Sequence, residues 1–207
     1  GQFTMQVQVD AASLIAPLPR VGLQLNLPLS LQHLRWCGAG PHECYTDRRT
    51  SAVCAVHSAD LLEETMHVPY VRPGENGSRA GVKWAQFHSN EHSFRSELTV
   101  SDRSYVDSGA FAPQQRTLKI QSGSDFHFGA QRYTTEDLAS AMHINDVTTH
   151  LRPFFAVNVD PYLMGVGGDD SWSSCVHTED LLQQHIGATN STGWSQDYRY
   201  ELSFFLS

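Results

Sequence analysis

Positive charge is scarce in this 207-residue chain: 14 Lys and Arg stand against 22 Asp and Glu, giving a formal net charge of −8. A surface that grips nucleic acid or an anionic bilayer needs clustered Lys and Arg, so the balance argues against both partners. Long apolar runs are missing too. No stretch approaches the eighteen or so residues that a membrane-spanning helix requires, and a soluble chain is expected. Cysteine is sparse: Cys37, Cys44, Cys54 and Cys175 show no C-x-x-C spacing and no partnered histidine pair. A zinc site is therefore not expected, and free buried thiols are the default reading. The N-terminus has no signal or transit pattern and no initiator methionine, and it enters strand-like alternation at once. That reads as a fragment, a processed product or one half of a split protein. A cytoplasmic setting is favoured over secretion.

What is present is β-structure. Hydrophobic residues make up 40% of the chain, enough for a core in one large domain over 1–207. Phe3, Met5, Val7 and Val9 alternate with polar residues, as do Val21, Leu23, Leu25 and Leu27, the period of half-buried strands. Further strands are expected at Ser51–Val56, Ala80–Phe87, Phe94–Val100, Arg116–Ile120, Phe154–Val159 and Tyr198–Leu206. Turn clusters fall at Pro17–Pro19, Gly38–Pro41, Pro73–Gly77 and Gly187–Gly193. Thr134 followed three residues later by Asp137 predicts one short helix near 134–143, with Leu138 and Met142 on one face. The polar, aperiodic stretch 102–113 reads as a loop or insertion. Many short strands and one helix predict an all-β, large antiparallel sandwich.

The candidate binding residue is an aromatic one. Met164-Gly165-Val166-Gly167-Gly168-Asp169-Asp170-Ser171-Trp172 places three glycines within four positions, where a backbone can turn as bulkier residues could not. Gly167, Gly168, Asp169, Asp170 and Ser171 are read as loop supports, since carboxylates and hydroxyls bond neighbouring backbone groups. Trp172 then either plugs the end of a sandwich or offers an indole face to a ligand. Glu75-Asn76-Gly77 reads as a tight turn, with Arg79 as its anchor; these four residues are the candidate interface. The run from Trp36 to Arg48 reads as a long turn held by charged hydrogen bonds. His88 and His92 lack an evident third ligand, so no metal site is assigned.

Six segments, in order, resemble a known family. They are Pro19–Leu23, Trp36–Arg48, Pro69–Arg79, Tyr133–His143, Asn158–Asp160 and Met164–Trp172. The chain resembles the C-terminal β-sandwich domain, or small chain, of family 2 glycoside hydrolases of the β-galactosidase type, over nearly its whole length. The resemblance implies a β-supersandwich of two packed sheets, and a catalytic (β/α)₈ barrel on a separate domain or large subunit that carries both catalytic glutamates. It implies that Trp172 forms an aromatic platform for a β-galactoside, and that the assembly is part of a larger oligomer. Ser173-Ser174-Cys175 departs from the family pattern after the tryptophan.

No catalytic residue is assigned to this chain. Retaining glycosidases need two carboxyl groups about 5 Å apart across the scissile bond, and the adjacent pairs Glu63-Glu64 and Asp169-Asp170 do not suit that geometry. No cofactor is expected. The chain alone is expected to be inactive, as the accessory part of a hydrolase. The alternative is a non-catalytic carbohydrate-binding or assembly module with the same fold.

Overall fold

The computed structural model describes residues 1–10, 18–63, 68–89, 116–165 and 197–207. The strand expected at Phe94–Val100, the stretch 102–113, the Gly187–Gly193 turn and the loop from Gly167 to Trp172 lie outside the described residues. Within them the chain forms β1 (Gln2–Asp10), β2 (Arg20–Pro28), β3 (His33–Gly40), β4 (Val53–Asp60), β5 (Arg79–His88), β6 (Thr117–Gln131), α1 (Thr135–Ser140), α2 (Ile144–Thr148), β7 (Phe154–Leu163) and β8 (Asp197–Leu206). All pairings are antiparallel, and the fold is all-β, as expected.

Hydrogen bonding links the eight strands through β6. The main path runs β1-β8-β6-β5-β3-β4, and β7 joins β6 to β2. One edge of β6 pairs with β5, while its other edge serves two strands in turn. Leu118–Ser122 pair with β8 and His127–Gln131 pair with β7. The sheet therefore forks at residues 123–126. Inward residues from both branches meet in a single core: Leu27, Phe155, Val157 and Val159 pack with Trp36, Phe87, Ile120, Phe128, Leu202 and Phe204. Burial of that apolar surface is the main stabilising term.

Two expectations change in detail. The glycines of Gly38–Pro41 suggest a turn in the sequence, yet Gly38 and Gly40 belong to β3. A Cβ on Gly38 would sit 2.8 Å from the Val82 backbone; the glycine permits close strand approach rather than a bend. The helix expected near 134–143 is shorter, with α1 ending at Ser140, and a second helix that was not expected, α2, follows at Ile144–Thr148. Ala141 leaves α1 with an extended backbone, at φ −72 and ψ 143. The Asp146 carboxylate then accepts from the amides of Met142 and His143, at 2.9 Å each, and starts α2.

The strand that positions the site is β7, which is buried on both sides. Its odd residues from Phe155 to Val159 enter the main core. Asn158 and Asp160, on the alternate positions of the strand, are buried at 9% and 2% exposure. Nearby, α1 and α2 form a smaller cluster in which Leu138, Ala141 and Val147 pack on Val71 and Tyr133.

Candidate functional site

Residues 73–78 leave α-helical and strand geometry because two glycines take positive φ, +98 at Gly74 and +74 at Gly77. A Cβ at Gly77 would also collide with the Gln131 amide, so conformation and space both require glycine. Asn76 serves differently from the positive-φ role that Asn tolerates in turns, since no residue but glycine adopts positive φ among the described residues. Its side chain is a buried connector. Oδ1 accepts from Tyr133 Oη at 2.9 Å and Gln131 Nε2 at 3.0 Å, and Nδ2 donates to the Tyr70 carbonyl at 2.6 Å. One amide thereby ties the turn to the Tyr70 segment and to the end of β6.

Arg79 lies under the turn, as an anchor would, at 1% exposure. Its guanidinium donates to the Gly77 carbonyl at 2.6 Å and the Pro41 carbonyl at 3.1 Å. It also faces the Trp36 ring at 5.6 Å, a cation–π contact in a desolvated setting. Burial lowers its pKa from the usual guanidinium range. The Trp36–Arg48 run, after its strand portion, packs against the same turn. Arg48 donates to Glu43 at 2.8 Å and to Tyr70 Oη at 3.0 Å, and Glu43 accepts from the Gly77 amide at 2.7 Å. The sequence suggests the adjacent Asp47 and Arg48 as the charged pair of this run; the structure instead gives the Arg48 guanidinium to Glu43.

Sequence reasoning missed the neighbouring cluster around Arg20, at the start of β2. Its Nη2 donates to Glu75 Oε2 at 2.7 Å and its Nη1 to Thr135 Oγ1 at 3.0 Å. Its Nε stands 3.2 Å from Asp160 Oδ2, without hydrogen-bond alignment for either atom. Tyr45 Oη donates to the other Glu75 oxygen at 3.3 Å. Two carboxylates thus share one guanidinium. Burial raises the Glu75 pKa, with Arg20 and Tyr45 opposing the rise. Burial likewise pushes Asp160 up to about 7, against the pull of Arg20. His127, opposite Asp160 in the β6–β7 register, is pushed down to about 4 by burial and by the Arg20 and Arg49 charges. The signal available in sequence was one charged residue in each of two otherwise uncharged strands; which charges meet depends on strand pairing.

Of the predicted interface residues, Glu75 is partly exposed, with 18% of its side-chain surface accessible, whereas Asn76, Gly77 and Arg79 are buried. The structure brings all four together. The loop-support residues and Trp172 lie outside the described residues. Leu163, at the end of β7, pairs with Arg20, and the Met164 amide donates to the Pro19 carbonyl at 2.9 Å. His88 faces His33 with ring centroids 5.3 Å apart, and His92 is outside the described residues. No group of three or more His, Cys, Asp or Glu side chains among the described residues is placed to hold a metal ion. Among the described residues, no helix is long and apolar enough to cross a membrane.

An antiparallel β-domain with a buried polar network under a glycine turn is a scaffold class rather than a reaction. The comparisons specify it further. A family model described as beta galactosidase small chain matches residues 1–191. The chain belongs to this β-galactosidase small-chain family. It is 39% identical to the β-galactosidase of Psychromonas ingrahamii over 184 residues, which is 89% of this chain and 14% of that protein. It is 33% identical to that of Vibrio vulnificus strain CMCP6 over 207 residues, 99% of this chain and 16% of the relative. For the Vibrio cholerae enzyme the identity is 36% over 184 residues, 89% and 15% of the two chains. This chain therefore spans about one-seventh of the length of these relatives.

Proposed function

We propose that this domain is the accessory part of a family 2 β-galactosidase: it packs on a separate catalytic (β/α)₈ barrel and supplies Trp172 as an aromatic platform for the sugar. The observation that carries the reading is one of proportion. The small-chain model takes in residues 1–191, while the matched β-galactosidases are six to seven times longer than the shared region, which covers 14% and 16% of two of them. Catalytic carboxylates on the remaining part fit that division. The carboxylates in the Arg20 cluster suit no hydrolytic role here, since Asp160 is 2% exposed and Glu75 is tied to Arg20 and Tyr45.

The platform works by surface rather than by hydroxyl matching. An indole face and the C–H face of a galactose ring exclude water from each other, and an aromatic contact adds on the order of 1 kcal/mol beyond area burial. Such a contact present equally in ground and transition states lowers KM and leaves kcat unchanged. No cofactor is assigned to this chain; its partners are the barrel, the β-galactoside and further subunits of an oligomer. The test is steady-state hydrolysis of a chromogenic β-galactoside by the enzyme that contains this domain. Trp172→Ala is expected to raise KM about fivefold or more, corresponding to roughly 1 kcal/mol. An unchanged KM would remove Trp172 from the site. Galactoside binding by the isolated domain, with no effect on any barrel, would favour the non-catalytic module instead.

A further inference from the structure

We propose that Arg20 is a positioning residue that couples the partner-facing turn at residues 73–79 to the end of β7, so that the two respond as one unit. It rests on the reading above for its consequence in catalysis, but its structural content stands on contacts already described. One guanidinium reaches three elements: Glu75 of the turn at 2.7 Å, Thr135 of α1 at 3.0 Å and Asp160 of β7 at 3.2 Å. Glu75 and Asp160 each depend on that same cation. Arg20 also pairs in register with Leu163, and the residue before it, Pro19, accepts from the Met164 amide at 2.9 Å. A fork with a rigid plane can hold two acceptors and a paired carboxylate in fixed relative positions, whereas an ammonium is a single point charge.

The groups around Asp160 make the coupling unequal to a simple ion pair. Arg20 comes from β2, Glu75 from the turn, His127 from β6 and Tyr200 from β8, while Arg49 acts on His127. With two carboxylates and a neutral imidazole about one guanidinium, removing charge from one carboxylate frees Arg20 to move toward the other. A change at the turn is therefore felt at β7 through Arg20, in addition to the direct repulsion between the Glu75 and Asp160 charges. A network of this kind earns the description of coupling when perturbing one end alters the other.

Hydrogen–deuterium exchange on the enzyme containing this domain, read by peptide mass spectrometry, tests it. Glu75→Gln is expected to speed amide exchange at residues 160–165 about threefold or more, and Asp160→Asn to do the same at residues 73–79, with α2 unchanged as an internal control for global opening. In an Arg20→Lys background, which keeps the charge but not the fork, both segments exchange faster and Glu75→Gln adds nothing at residues 160–165. Arg20→Lys also raises KM for the β-galactoside with kcat unchanged. Effects of Glu75→Gln confined to residues 73–79, or equal acceleration throughout including α2, would overturn the coupling. Failure of the sugar-platform reading shows separately, as a Trp172→Ala enzyme with an unaltered KM, whatever the exchange pattern.

Discussion

Asn76 and Gly77 illustrate how much one residue can decide. The Asn76 amide makes hydrogen bonds to Tyr70, Gln131 and Tyr133 at 3% exposure, and each buried group left without its partner costs on the order of 1–3 kcal/mol. Asn76→Ala is expected to destabilise the domain by about 3 kcal/mol in urea unfolding. Gly77→Ala must adopt φ +74 and displace Gln131, and an equal or larger loss is expected there. Asp160 and His127 make a second prediction, in pH. Asp160 titrates at about 7 when folded and near 3.8 ordinarily, so the native state holds the extra proton and stability falls as pH rises between these values. His127 titrates at about 4 when folded and near 6.5 ordinarily, so stability rises with pH over that range. The two slopes oppose and nearly cancel between about pH 4 and 6.5. Relative to the wild type, Asp160→Asn should gain stability on going from pH 4.5 to 6.5 and His127→Phe should lose it. Parallel curves for all three proteins would mean that neither group is perturbed as stated.

At the scale of elements, α1 shows local chemistry acting as its sequence suggests. Thr134 Oγ1 accepts from the Asp137 amide at 3.2 Å, and the Asp137 carboxylate accepts from the Thr134 amide at 2.9 Å. Arg152 then clamps Asp137 through two bonds, at 2.9 and 2.6 Å, and this holds the carboxyl down at about 2. Thr134→Ala is expected to cost about 1 kcal/mol, seen as a lower urea midpoint with an unchanged slope. Helix propensity could not foresee the break at Ala141, because the restart depends on Asp146 capping two amides. β6 shows the opposite limit. The strand expected from the sequence ends at Ile120, yet β6 runs to Gln131, because Phe126, Phe128 and Ala130 resume the apolar alternation beyond a polar stretch. Polar residues 122–125 are accommodated where the β5–β6 register shifts, between Val82 and Trp84, as a bulge allows.

For the whole molecule, the fork of β6 brings two branches of sheet into one core and sets β7 between that core and the polar network. The same arrangement leaves Glu75 and Arg20 partly open, at 18% and 22% side-chain exposure. As an accessory domain, the isolated chain is expected to show no hydrolysis of a chromogenic β-galactoside, and activity should require the catalytic domain. Turnover by the purified chain alone would contradict the division of labour proposed here.

The all-β class, the positions of β1, β2, β5, β7 and β8, the α1 cap and the resemblance to the β-galactosidase small chain are legible in the amino-acid sequence. These rest on alternation, capping and ordered local motifs, all of which are properties of near neighbours along the chain. The sequence also located the Glu75–Arg79 turn and its anchor. Only the tertiary structure decided that Gly38 and Gly40 lie in a strand, that Arg48 pairs with Glu43, and that Arg20, Glu75, His127 and Asp160 meet. Arg20 and Asp160 are 140 positions apart in the sequence yet 3.2 Å apart in the fold. Strand register, which is set by the burial of whole faces, brings such charges together, and no local pattern records it.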